Sequence, residues 1–480
     1  MLEDSAMRYL DLAIILVYLA GITWFGARFR HRQKSLRDYF LGGRSAPWWA
    51  IGLSIVSAET STLTIVSTPA LAFAGNLGFL QLVMGYLLGR IVISALLLPH
   101  YFRGELFTAY ELMRRRFGER IRKLTACIFL VTRALAEGVR VAAIAIVISV
   151  VLGVGQTAAI VLILALTLFY TFEGGMTAVI WTDVVQMLMY GAGAVLSLVI
   201  IIQQAPGGLS HALNIAESLH KFRIFDFASP LSPGFFDQPY TFWAGIIGGC
   251  FLTTASHGTD QLVVQRLLSA RNERESRLAL LSSWLVVFVL FTLFLLIGAL
   301  LFVHYRENHL SPPEPMDRLY PGFVWDNLPV GAAGLVMAAI LAAAMANLSA
   351  ALNSLSSATV VDFFGGGKDS RQIRLARWVT VFWAVVLIAI GLVARHWGSV
   401  LESGISIASV TLGILLGVFL LGVLTRSVGE KAAICGVIAG LAVILYVKAE
   451  THIAFTWWVP IGACTTFLAG CAASQLITDN

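Results

Sequence analysis

The ionisable and hydroxyl groups of this 480-residue chain draw attention because several stand in apolar surroundings. Glu59 lies within a run of hydroxyls, Ser54, Ser57, Thr60, Ser61, Thr62, Thr64, Ser67 and Thr68, that ends at Pro69. Thr253, Thr254, Ser256, His257, Thr259 and Asp260 form a second such cluster. Arg133 and Glu137 are four apart and Glu137 and Arg140 three apart, so a helix places them on one face as a ladder. The ladder reads either as an internal network or as counter-charge for an anionic solute group. His257 can titrate, bind a solute or hydrogen-bond in packing. The hydroxyls can glue helices together, but packing alone does not account for Glu59 beside them.

The surroundings of these groups are fixed by composition. With 58% hydrophobic and 12% charged residues and a mean hydropathy of +0.82, the chain has too few charges for a water-facing shell. An integral membrane protein accommodates that balance, while soluble enzymes and nucleic-acid binders do not. The net charge of +6 therefore reads as topology rather than as a nucleic-acid patch. Cys127, Cys250, Cys435, Cys464 and Cys471 lie in apolar stretches without paired spacing, which indicates neither a disulfide framework nor a metal site.

A spanning helix takes roughly 20 apolar residues, and about thirteen such segments are expected: 9–27, 48–74, 79–98, 124–152, 156–172, 178–203, 241–264, 279–303, 332–361, 378–394, 399–424, 432–448 and 455–474. The first lacks a basic start and a small-residue cleavage site, so it is expected to be a span and not a cleaved leader. Most Lys and Arg residues fall on odd-numbered connections, among them Arg28 to Arg44, Arg103 to Lys123, Arg266 to Arg277, Lys368 to Arg377, and Arg426 with Lys431. That bias places odd connections and the C-terminus in the cytoplasm and the N-terminus outside a cell (inner or plasma) membrane.

Arg90, Arg133 and Arg140 remain inside spans, where an unpaired charge costs several kcal/mol, and so mark a functional site by default. Two polar, breakable helices five spans apart predict a five-plus-five inverted repeat, 48–203 and 241–424, with 9–27 and 432–474 as additional helices of a single membrane domain, 1–480. Counting along the helices puts Glu59, Asn347 and Arg140 near mid-depth, where they can meet. Asp183 and Asp260 fall near cytoplasmic ends, which suits an inner exit path or helix-end solvation.

Several stretches resemble a known family. DYFLGGRSAPWWAIGLS at 38–54, TAYELMRRRFG at 108–118, FEGGMTAVIWTDVVQ at 172–186, DQLVVQRLL at 260–268 and AALNSLSSATVVDF at 350–363 are similar to the sodium/solute symporters, which include sodium-glucose cotransporters and proline permease. The resemblance covers nearly the whole chain and implies the leucine-transporter fold. It implies a sodium site from the backbone carbonyls of Ser57 and Thr60 with Ala343, Ala346 and Asn347. The chain departs from the family here: Ala346 and Asn347 stand where a Ser/Thr pair is usual, and alanine offers no side-chain oxygen to a hard cation. At a second implied cation position Asp183 is retained, but Ala350 replaces a hydroxyl. Glu59 can coordinate a cation, carry a proton or pair with Arg140.

The resulting expectation is cation-coupled symport of a small polar organic solute by alternating access. Glu59, Thr64, Arg140, Thr253, Ser256 and His257 are the solute candidates, and Ser57, Thr60, Ala343, Ala346, Asn347 and Asp183 the cation candidates. Sodium is the expected coupling ion, with a proton or uncoupled transport as alternatives, and no other cofactor or obligate protein partner is indicated. A solute sensor that keeps the fold without cycling is the rival class. An enzyme is disfavoured, since no H-E-x-x-H spacing and no Ser/His/Asp set at compatible depth occurs.

Overall fold

The computed structural model describes residues 2–29, 35–104, 106–152, 154–314, 316–364, 369–394 and 400–476. Of the basic residues used for topology, Arg30, Arg32, Lys34, Lys368 and Arg395 lie outside the described residues. The described chain is helical: α1 (Leu2–Ala27), α2 (Leu36–Leu41), α3 (Trp48–Glu59), α4 (Thr62–Ala74), α5 (Leu80–Val92), α6 (Leu98–Tyr101), α7 (Ala109–Arg116), α8 (Glu119–Leu152), α9 (Gln156–Gln203), α10 (Gly208–Ser218), α11 (Gly249–Gly258), α12 (Gln261–Leu268), α13 (Glu273–Glu307), α14 (Leu319–Asn327), α15 (Ala332–Phe364), α16 (Asp369–Ala394), α17 (Val400–Leu424), α18 (Glu430–Glu450) and α19 (Phe455–Leu476). Single π turns at Ile93–Leu97 and Ala244–Gly248 join α5 to α6 and lead into α11.

Eight described helices are long and apolar enough to cross a bilayer, and α3 with α4, bent by 61°, makes a ninth span. Segments expected at 124–152, 156–172, 241–264 and 399–424 fall outside that set. The first carries the Arg133, Glu137 and Arg140 charges and the third is interrupted at Thr259 and Asp260, whereas 156–172 and 399–424 are helical, within α9 and α17, with described apolar stretches Gln156–Phe169 and Ala408–Leu424. Segments 156–172 and 178–203 belong to one 48-residue element, kinked at Gly175, whose φ of 53° and ψ of −154° suit only glycine. The connections at 204–240 and 304–331 are partly ordered, holding α10 and α14.

The helix α15 is the central strut, with 94% of its most apolar stretch buried. Its sequence, rich in Ala and Ser, lets α9, α8, α16 and α1 approach closely. Asp11 on α1 holds its start, accepting from the Gly331 and Gly334 amides at 2.7 Å each. The helices α5 and α11 also pack tightly, because glycines face them: a Cβ at Gly249 would run into the Leu82 carbonyl.

Candidate functional site

The helix formed by α3 and α4 breaks where its hydroxyls are densest, as side chains that hydrogen-bond locally weaken a continuous ladder. The Thr60 amide still reaches the Val56 carbonyl, at 2.8 Å. Thr60 and Ser61 are then extended, leaving carbonyls at the end of α3 outside the helical ladder. A matching break follows α11, where Asp260 caps α12 by accepting from the Leu262 amide at 2.9 Å.

Both breaks open on one cavity of about 290 Å³. All six solute candidates, Glu59, Thr64, Arg140, Thr253, Ser256 and His257, line it. Two of the charged lining residues, Arg133 and Asp260, come from outside that set, and Ser409 and Thr411 of α17 add hydroxyls. Nothing distinguished these hydroxyls in the sequence from the many Ser and Thr that serve packing. Tyr86, Phe129, Phe291 and Tyr240 supply aromatic walls. Burial pushes the Tyr240 phenol up to about 12, so it faces the cavity as a neutral group.

On one wall Glu59 pairs with Arg90, Nη2 lying 2.6 Å from Oε2, and not with Arg140. Arg90 Nε donates to Ser283 at 3.2 Å. His257 Nε2 lies 3.2 Å from the same Glu59 oxygen, and Ser256 Oγ lies 2.9 Å from Nδ1. With its proton on Nε2, His257 donates to the carboxylate while Nδ1 accepts from Ser256, and Arg90 Nη2 lies 3.4 Å from Nε2.

On the opposite wall the helical ladder forms, with Glu137 Oε1 accepting from Arg133 Nη1 at 2.9 Å and Arg140 Nη1 at 2.5 Å. Arg133 also pairs with Asp260 across the helices. Asn347 Nδ2 donates to Glu137 Oε2 at 2.5 Å. Asn347 and Arg140 thus meet, as expected, but through Glu137, while Glu59 stands apart with Arg90. Arg140 keeps a quarter of its side chain exposed on the cavity wall, with guanidinium donors beyond the one used on Glu137.

The cation candidates separate into two places. Ser57, Thr60, Ala343, Ala346 and Asn347 are all buried on α3, the break and α15, which pack together. Among the described residues Asn347 Oδ1 is a buried oxygen without a hydrogen-bond partner, and the buried Ser57 and Thr60 hydroxyls face the Tyr190 hydroxyl; oxygens of this kind are the hard ligands that sodium takes. Asp183 departs from the expectation of a watery helix end. It is fully buried, and its Oδ2 accepts from Ser54 at 2.5 Å and Arg266 at 2.8 Å. The Arg266 guanidinium already supplies positive charge there. Arg266 is correspondingly no surface topology charge but 1% exposed, and Asp260 is paired with Arg133.

Comparisons with known proteins bear on the family and the fold. A family model described as the sodium:solute symporter family matches residues 39–440. The sodium/sialic acid symporter of Aliivibrio fischeri is 28% identical over 494 residues, covering 100% of this chain and 95% of that protein. The sodium-coupled monocarboxylate transporter 2 of Bos taurus is 28% identical, covering 95% of this chain and 72% of that protein. A solved structure of the substrate-bound, outward-open state of a Na+-coupled sialic acid symporter superposes with a TM-score of 0.87 at 26% identity, over 98% of each chain.

Proposed function

Because the chain belongs to the sodium:solute symporter family, we propose that it carries a small hydroxylated carboxylate together with sodium, with the central cavity as the solute site. The observation that carries this reading is Arg140, which lines the cavity with free donor capacity while a single bond to Glu137 holds it in place. A guanidinium of this kind suits a carboxylate, which it can take in bidentate fashion. The surrounding hydroxyls of Ser61, Thr64, Ser67, Thr253 and Ser256 suit hydroxyl or amide groups on the same solute.

In this reading the carbonyls at the end of α3, with Thr60 and Asn347, hold the sodium ion. The two breaks belong to inverted repeats spanning 48–203 and 241–424, and transport proceeds by rocking one bundle against the other. The basic odd-numbered connections face the cytoplasm, the N-terminus lies outside and the C-terminus inside a cell membrane. Sialic acid and monocarboxylates are the first solutes to test, as the named substrates of similar proteins.

The test is a thermal-shift screen of sialic acid, lactate and their neutral esters in sodium and in choline, since a ligand of the folded state raises its stability by mass action. Carboxylates are expected to stabilise the protein in sodium, and their esters not. Equal shifts from esters would remove the anion reading. Proton coupling is the second reading, favoured by the Glu59 carboxylate, 12% exposed beside His257 at the cavity wall. Uptake driven by a pH gradient without sodium would select it.

A further inference from the structure

Asn347 joins two sites that otherwise belong to different helices. It is 1% exposed, and the two ends of its amide meet different surroundings: Nδ2 donates to Glu137 Oε2 at 2.5 Å, whereas Oδ1 has no hydrogen-bond partner among the described residues. The assignment of the ends follows from chemistry, because a carboxylate accepts an amide N–H and repels an amide oxygen. The other oxygen of Glu137 carries Arg133 and Arg140. A continuous polar chain therefore runs from an unpartnered buried oxygen on α15, through Glu137, to the arginine on the cavity wall.

We propose that Asn347 couples the cation site to the solute site: a sodium ion on its Oδ1 strengthens the Nδ2–H bond to Glu137 and so fixes the carboxylate on which Arg140 is held. The inference rests on the cation reading given above for Ser57, Thr60 and Asn347. The amide is suited to the task because its oxygen and nitrogen are conjugated. A cation on the oxygen draws density from the nitrogen and makes its N–H a stronger donor, as polarised hydrogen-bond chains do. The reverse path also holds. A solute carboxylate that takes up Arg140 donors leaves Glu137 less neutralised, so Glu137 pulls harder on the amide N–H and the oxygen becomes a better cation ligand. Equal coupling in both directions is what linkage requires. A Ser or Thr at this position would offer a shorter side chain with its oxygen and its proton on one atom. The departure of this chain at Asn347 is thereby a gain of reach toward α8, and Ala346 beside it contributes no competing oxygen.

The test is a double-mutant cycle read without solute. Purified protein is titrated with sodium against choline at constant ionic strength, and the stabilisation midpoint is measured for the wild-type chain, E137Q, N347S and the double variant. E137Q is expected to weaken the sodium midpoint about five-fold or more when Asn347 is present, and by less than about two-fold in the N347S background. Equal weakening in both backgrounds overturns the coupling while leaving the cation site standing. Where N347S no longer responds to sodium, N347D replaces it, keeping an oxygen ligand but no N–H. In that background, without an N–H to carry the effect, E137Q is expected to shift the sodium midpoint by less than about two-fold, and weakening equal to that in the wild type overturns the proposal. E137D, shorter but still charged, serves where E137Q does not fold, with the same outcomes. A wild-type protein without any sodium response overturns the cation reading and this inference together.

Discussion

Glu59 and Arg90 show what a charge inside this bundle requires. Arg90 is fully buried and Glu59 nearly so, and the loss of one member of such a pair leaves the other uncompensated at a cost of about 3–5 kcal/mol. Glu59→Gln is therefore expected to lower the melting temperature markedly, and the double variant with Arg90→Met to regain most of the loss, both measured by thermal unfolding in detergent. Arg140→Lys keeps the charge but loses the planar fork, so carboxylate binding is expected to weaken about ten-fold or more with little change in stability, as read by solute titration. The sequence already singled out these residues, because an ionisable group amid apolar ones is rare enough to notice. It could not pair them all. The Arg133, Glu137 and Arg140 ladder is local and follows from helical spacing, whereas Glu59 finds Arg90 across 31 positions, where no periodicity connects them.

At the scale of elements, the breaks were legible and the bends were not. Hydroxyl-rich stretches flagged the interruptions at Thr60 and Thr259, since their side chains compete with the backbone ladder. The turn at Gly175 left no comparable mark. One glycine among the 43 in the chain carries it, and only its backbone angles reveal the role. Gly175→Ala is expected to cost about 1–3 kcal/mol because the conformation is nearly restricted to glycine, measured as a fall in melting temperature. Asp11 acts on another element entirely, capping the start of α15 from α1. Asp11→Ala is expected to lose about 1–2 kcal/mol, as removal of a cap does, and hydrogen exchange at Gly331 and Gly334 would rise. A cap supplied by a separate helix, 320 or more positions away, leaves no trace in the local pattern.

Across the whole molecule, the cavity reaches toward one end of the bundle and is tied shut at the other. Leu71, Phe79, Tyr240 and Phe455 line its approach from the end where α4 finishes and α5 and α19 begin. At the opposite end, Arg266 binds Asp183 and Ser54, Tyr101 donates to the Gly258 carbonyl, and Arg122 binds Asp362, which also accepts from Thr108. Asp183→Asn is expected to loosen this closed end, and spin labels on α7 and on the start of α13 should then report a longer separation. Charge counting treated Arg266 and Arg122 as surface markers, whereas both are buried in these ties. The charges around the cavity have a further consequence, an electrical one. Arg90, Arg133 and Arg140 are matched by Glu59, Glu137 and Asp260, so the charges of these six side chains sum to zero. A monovalent anion entering with one sodium ion leaves that sum at zero, and reorientation of the loaded carrier then does no work against the membrane voltage. Each additional cation would make the cycle respond to voltage by about 2.3 kcal/mol per 100 mV, and the current accompanying each solute taken up would count those ions directly.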